Sequence, residues 1–243
     1  MAVDQKPLAV AGHALPPEVL SSIRDASRRT GVDFKFLVAQ AALESGFRTE
    51  AAAGRSSASG LYQFTSQTWL GLMRQHGAKY GQAELAAKIA QQPGGRYKVE
   101  DKAAEREMLA LRSDSKLASL MAAEVTKSNS QQLQHALGRK PNAAELRLAM
   151  FLGPAGAIKF MRAHAADAGA AAADLVPAAA KQNPQIFYDA GRTPATVAAV
   201  YSRIEASLKT PLKQVAAIER QAPEPVPLKP GPGLLASLSP RRA

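Results

Sequence analysis

The stretch Asp33-Phe34-Lys35-Phe36-Leu37-Val38-Ala39-Gln40-Ala41-Ala42-Leu43-Glu44-Ser45-Gly46 decides the fold. Asp33 is a good N-cap, because its carboxylate can accept hydrogen bonds from the free N–H groups of a first helical turn. Phe34, Leu37, Val38 and Ala41 recur at helical spacing and place one face in a core. Ala39, Ala42 and Leu43 make the rest nearly apolar, and a helix apolar all round is a buried, central one. Gly46 breaks it, which leaves the carboxyl of Glu44 at the end of an apolar helix.

Working outward, Leu15-Pro16-Pro17 opens an earlier helix, since proline fits a first turn. Val19, Leu20 and Ile23 give that helix an apolar stripe, and Gly31 stops it. Residues 48–60 have loop composition. Thr65 or Ser66 caps a helix carrying Trp69, Leu70, Leu72 and Met73. Gln91-Gln92-Pro93-Gly94-Gly95 is a turn, and a helical region follows from about Val99 to Leu137, divided by a cap at Asp114. Asn142 caps Ala143–Leu152, Gly153-Pro154 turns the chain, and Ala155–Ala165 continues as helix. Asp167–Ala180 is helical in part. Thr193-Pro194 starts a last core helix through Leu208, and Leu212–Arg220 is a short helix. No convincing period-2 strand pattern appears. The expectation is an all-α chain: a flexible lead over residues 1–15, a helical domain over 16–208, and a short helix with a disordered, Pro-rich basic tail over 209–243.

Composition narrows the chemistry. Of 243 residues, 46% are hydrophobic, alanine the largest part of them, and only 5% are aromatic, which favours helices. Cysteine is absent, so disulfides and thiolate metal sites are excluded. His13, His76, His135 and His164 are scattered without metal-ligand spacing, and neither a metal nor a cofactor is expected. No run of about 18 apolar residues is present to span a membrane. The net charge of +11 draws the chain to polyanions: nucleic acid, an acidic membrane surface or an acidic wall polymer. No helix-turn-helix, RNA-binding aromatic motif or arginine tract accompanies it, which makes a nucleic-acid binder the weakest of these readings. Met1-Ala-Val-Asp-Gln-Lys-Pro begins no signal-peptide pattern, so a route for export is not visible.

A carboxylic acid donates a proton to a glycosidic oxygen at neutral pH only if its pKa is raised, usually by burial. Ala41, Ala42, Leu43 and Phe47 give Glu44 such a neighbourhood. A two-carboxylate mechanism needs a nucleophile or base as well. Glu50, Asp25 and Asp33 are the nearest candidates, and none has an obvious partner spacing. Gly60-Leu61-Tyr62-Gln63-Phe64 follows the loop. There Tyr62 is a candidate sugar platform, while Phe64 and Trp69 read as core.

Three stretches together carry a family resemblance: Glu44-Ser45-Gly46-Phe47, then Ser56-Ser57-Ala58-Ser59-Gly60-Leu61-Tyr62-Gln63-Phe64, then Ala149-Met150-Phe151-Leu152-Gly153-Pro154-Ala155-Gly156-Ala157. Over roughly residues 16–206 the chain resembles the soluble-lytic-transglycosylase-like domain, which has a lysozyme-like fold and cuts the glycan strands of bacterial peptidoglycan. The resemblance implies Glu44 as a single acid/base, with the muramic acid 6-hydroxyl as internal nucleophile and a 1,6-anhydro product. It implies that Gln63 and the Gly60-Leu61 backbone line the sugar groove and hold the N-acetyl groups, with Ser57 or Ser59 hydrogen-bonded near the acid. Many members carry Tyr-Asn where this chain has Met150-Phe151, and Tyr188 or Tyr201 is the candidate to supply the missing phenol near the acid. The implied setting is the periplasm or cell envelope, with a monomer acting on glycan strands, in some members for a secretion, flagellar or phage apparatus. A hydrolytic muramidase using the same Glu44, and a non-catalytic peptidoglycan-binding or assembly protein, are the alternatives.

Overall fold

The computed structural model describes residues 8–54 and 56–221. Eleven α-helices and two small hairpins make the described part all-α in class. Helix α1 (Pro17–Thr30) ends at Gly31, whose φ of 76° fits a left-handed cap. Helix α2 (Phe34–Ser45) is capped by Asp33, whose carboxylate accepts from the N–H groups of Lys35 at 2.7 Å and Phe36 at 3.2 Å. Every residue from Phe36 to Ala42 is buried, so α2 is the central helix its composition predicts.

Helices α3 (Ser66–His76), α4 (Ala83–Ala87), α5 (Lys102–Ala110) and α6 (Ser115–Leu137) follow, and of these α6, like α1, packs against α2. Asp114 caps α6 through the N–H of Leu117 at 2.8 Å, and α6 packs along α1. Val19, Ile23, Leu37, Trp69 and Met121 belong to the first core cluster. A second cluster holds Leu148, Phe160, Phe187, Val200 and Ile204. It is built by α7 (Ala143–Ala166), the short α8 (Ala172–Leu175), α9 (Pro177–Gln182) and α10 (Pro184–Phe187), and the long α11 (Val197–Gln221). The central helix serves both, with Leu37, Val38, Ala41 and Ala42 in the first and Ala39 in the second. Helix α7 is kinked at Gly153, where φ 68° and ψ 164° suit only glycine and Pro154 supplies no N–H.

Three expectations change. Residues 8–15 are not a free lead. Strands β1 (Ala9–Val10) and β2 (His13–Ala14) pair as an antiparallel hairpin around Ala11-Gly12, both at positive φ as a tight primed turn requires. Val10 and Leu15 are buried, and the Ala11 N–H donates to Gln214 Oε1 at 2.7 Å. At the other end, residues 209–221 are not a separate short helix. Helix α11 runs unbroken through Pro211 and delivers Val215 and Ile218 to the first core cluster. A second hairpin, β3 (Ile89–Gln91) with β4 (Tyr97–Val99), surrounds the expected Pro93-Gly94-Gly95 turn, so the next helix, α5, starts at Lys102 behind an Asp101 cap. Residues 1–7 and the Pro-rich tail over 222–243 lie outside the described residues. No helix among the described residues is long and apolar enough to cross a membrane.

Candidate active site

Gly46, at φ 59°, ends α2 and leaves Glu44 in its last turn. The His13 ring of the first hairpin packs so close to Gly46 that a Cβ there would come within 2.7 Å of it. A glycine is therefore demanded twice, by the left-handed backbone and by this approach. The Glu44 side chain is 28% exposed and opens into a cavity of about 360 Å³. Tyr62, Gln63, Phe64 and Thr65 from the loop, Thr68 of α3, Val125 and Asn129 of α6, and Ala149, Met150, Phe151, Gly153 and Pro154 of α7 form the other walls. Among the described residues that line it, Glu44 is the one carboxylate.

An arginine stands behind that carboxylate. Arg147, on α7, reaches Glu44 Oε1 at 3.4 Å and also donates to Gln40 Oε1, one turn back on α2. Its guanidinium lies over the Phe151 ring, 4.9 Å from the centroid, so the charge is clamped between two helices. Two influences on Glu44 oppose each other. Burial raises its pKa and the Arg147 charge and hydrogen bond lower it, and burial wins, leaving the carboxyl above its ordinary value. For Arg147 burial dominates too and lowers its pKa, against the opposing pull of Glu44.

The loop that faces Glu44 is held by its own polar groups. Ser45 Oγ donates to the Leu61 carbonyl at 2.8 Å, tying α2 to the loop. Gln63 takes a positive φ of 50° and donates through Nε2 to the carbonyls of Ala51 at 3.0 Å and Gly60 at 2.9 Å. Its Oε1 is the part of the amide left to accept from a ligand. Tyr62 is a buried residue at the cavity wall, and its hydroxyl donates to the Leu37 carbonyl at 3.3 Å. Phe64 and Trp69 are buried neighbours with ring centroids 5.7 Å apart, and the Trp69 indole N–H donates to the Met108 carbonyl at 2.6 Å.

Of the residues expected at the site, Glu44, Tyr62 and Gln63 come together. The others have different places. Gly60 is buried at φ 81°, where a Cβ would collide with the Arg112 carbonyl oxygen, so its role is close backbone packing. Leu61 is fully buried in the core. Ser57 Oγ accepts from the Ser66 N–H at 3.1 Å, and Ser59 joins a bridge to Ala52 and Phe64. Neither lines the cavity, and the serine beside the acid is Ser45. Tyr188 bridges Pro194, and its carbonyl accepts from Arg203 at 3.2 Å. Tyr201 accepts through its hydroxyl from Asn142 at 2.9 Å. Neither tyrosine lines the Glu44 cavity.

Asp33, at the other end of α2, is committed to capping. Asp25 pairs with Arg28 and Arg29, and Glu50 is exposed beside a different pocket. No cluster of three His, Asp or Glu side chains among the described residues has the form of a metal site. A larger cavity, about 570 Å³, lies between α7 and α11 near Asn142, Ser202 and Lys209, but its one carboxylate, Glu205, is exposed.

Arg147, Gln40 and Asn129 are site residues that sequence reading passes over. Each left a trace as a polar residue at a core-facing helical position. Gln40 precedes Glu44 by one turn, Arg147 interrupts the apolar run around Leu148, and Asn129 follows Val125 by one turn. No protein-family model matches the chain.

Proposed function

We propose that this chain is a lytic transglycosylase with a lysozyme-like helical domain, cleaving the β-1,4 bond between N-acetylmuramic acid and N-acetylglucosamine in peptidoglycan. The observation that carries the reading is the half-buried carboxyl of Glu44 in a cavity with no second carboxylate among the described residues that line it. A pKa raised by burial supports its service as a proton donor. In the first step the Glu44 O–H protonates the glycosidic oxygen, the bond from that oxygen to the anomeric carbon breaks, and Glu44 becomes a carboxylate. In the second, the muramic acid 6-hydroxyl attacks the anomeric carbon and its proton passes to Glu44. The new bond closes the 1,6-anhydro ring, the acid is regenerated and no water is consumed. A scheme of this kind asks for one carboxyl only.

Arg147 supports the same cycle by stabilising the carboxylate between the two steps and fixing its rotamer through the contact at 3.4 Å. The walls suit a carbohydrate: Tyr62, Met150 and Phe151 offer apolar faces, while Gln63, Asn129, Thr65 and Thr68 offer hydrogen bonds. Glycan strands as substrate imply work in the periplasm or cell envelope. The positive net charge supports attraction to anionic wall polymer.

One observation favours a second reading. An arginine beside a carboxylate is also what a purely structural ion pair looks like, and a non-catalytic peptidoglycan-binding protein would keep it. Digestion of purified peptidoglycan with wild type and Glu44→Gln, followed by mass analysis, separates the readings. Anhydro-muropeptides from wild type alone are expected. Reducing-end products would move the assignment to a hydrolytic muramidase, and wall binding without cleavage would move it to the binding protein.

A further inference from the structure

Asn129 is a buried amide left almost without a protein partner. It is 4% exposed on α6, yet it lines the cavity that holds Glu44. The one hydrogen-bond contact of its side chain among the described residues runs from Nδ2 to the Met150 thioether, at 3.7 Å. A thioether is a weak acceptor, and a primary amide carries two donors and a carbonyl acceptor. The hydrogen-bonding capacity that Met150 leaves unused is open to the cavity, where a ligand in place of water can complete it.

The surroundings narrow that ligand. Val125 lies one turn before Asn129 on the same face of α6, and Met150, Ala149 and Phe151 stand on α7. The wall therefore offers an amide donor and acceptor framed by apolar surface. A secondary amide with a methyl group matches it: the N–H meets Asn129 Oδ1, the carbonyl meets Nδ2, and the methyl lies against Val125 or Met150. We infer that Asn129 reads the 2-acetamido group of the sugar ring seated beside Glu44. The inference rests on reading the cavity as a glycan site, and makes Asn129 a specificity residue there. An N-deacetylated sugar would instead bring a hydrated ammonium against apolar side chains, which costs desolvation. The same ammonium near Glu44 would hold the carboxyl ionised and remove the catalytic proton.

The test measures binding apart from cleavage. Calorimetry on Glu44→Gln, which keeps the cavity and removes the charge, uses a β-1,4-linked N-acetylglucosamine tetramer and its fully N-deacetylated counterpart. The acetylated tetramer is expected to bind about tenfold tighter, as for a site built to satisfy one buried polar group. Asn129→Leu in the same background should erase the preference. Asn129→Ser, which shortens the side chain without adding apolar bulk, should reduce it, and thermal melting of both variants checks that they fold. A preference that survives both folded variants, or its absence from the parent, overturns the inference even if wild type cleaves peptidoglycan. An Asn129-dependent preference in a protein whose wild type cleaves nothing upholds the inference and overturns only the catalytic reading.

Discussion

Glu44 and Glu145 each have an arginine beside them, and they are driven in opposite directions. Glu145 stands in the first turn of α7 and its side chain is 1% exposed. Burial pushes its pKa up, but a two-pronged grip from Arg139, at 2.6 and 2.9 Å, and the Asn142 N–H at 2.9 Å outweigh that, and the net pKa is lowered. Glu44 is more exposed, yet its pKa is raised. The difference lies in what surrounds the charge. Glu145 has three short donors and the positive end of a helix. Glu44 has one long contact and sits at the negative end of α2. A nearby arginine does not by itself lower a carboxyl's pKa, and how fully donors saturate its oxygens decides the direction.

The comparison breaks most visibly at the level of rate. Glu44→Gln should lower peptidoglycan cleavage by about 10²–10⁴-fold, the range for loss of a general acid, with little change in melting. Glu145→Gln should do the reverse, leaving the cleavage rate near wild type while costing about 1–3 kcal/mol of stability from lost charge-assisted hydrogen bonds, read by denaturant unfolding. Cleavage that falls with Glu145→Gln as it does with Glu44→Gln would mean the two sites are not separate in role.

The opposite shifts also predict opposite pH dependences. Glu145, lowered in the fold, contributes stability above the ordinary carboxylate range and loses it as pH falls. The gap between wild type and Glu145→Gln should therefore close in acid. Glu44, raised in the fold, contributes stability below that range and loses it as pH rises through its folded pKa. Its activity should fall along the same limb, since the protonated form starts the proposed reaction. Arg147→Met removes the lowering influence, so that limb should move to higher pH while the peak rate drops on the order of tenfold from lost positioning. Arg147→Lys keeps the charge without the planar stack on Phe151 and should fall between. The smallest effect belongs to Tyr188→Phe: its side chain lies outside the cavity, so the cleavage rate should stay within about twofold of wild type.

The contrast between the two carboxyls was only partly legible in the sequence. Local signals read well: Asp33 as a cap, the apolar circumference of α2, Gly46 as its stop, Asn142 as the start of α7 and Gly153-Pro154 as its kink. These depend on neighbours a turn away. Glu44, Tyr62 and Gln63 were legible as a site because they come from a helix end and the loop that follows. Arg147 was not, since its meeting with Glu44 spans 103 positions and depends on how α7 packs on α2. Residues 8–15 hid for another reason. Strands of two residues are too short to show alternation, and Val10 is held by the burial that α11 provides. The last helix is expected to end at Leu208, but it runs on through Pro211, where one missing N–H is tolerated because Val215 and Ile218 reward continuing the helix.

The central claim is that one carboxyl performs both proton transfers while the substrate supplies the nucleophile. Digestion of purified peptidoglycan by wild type in ¹⁸O-labelled water tests it most directly. The account predicts anhydro ends that carry no label. Reducing ends carrying ¹⁸O would contradict it, because water, not the muramic acid 6-hydroxyl, would then have attacked the anomeric carbon.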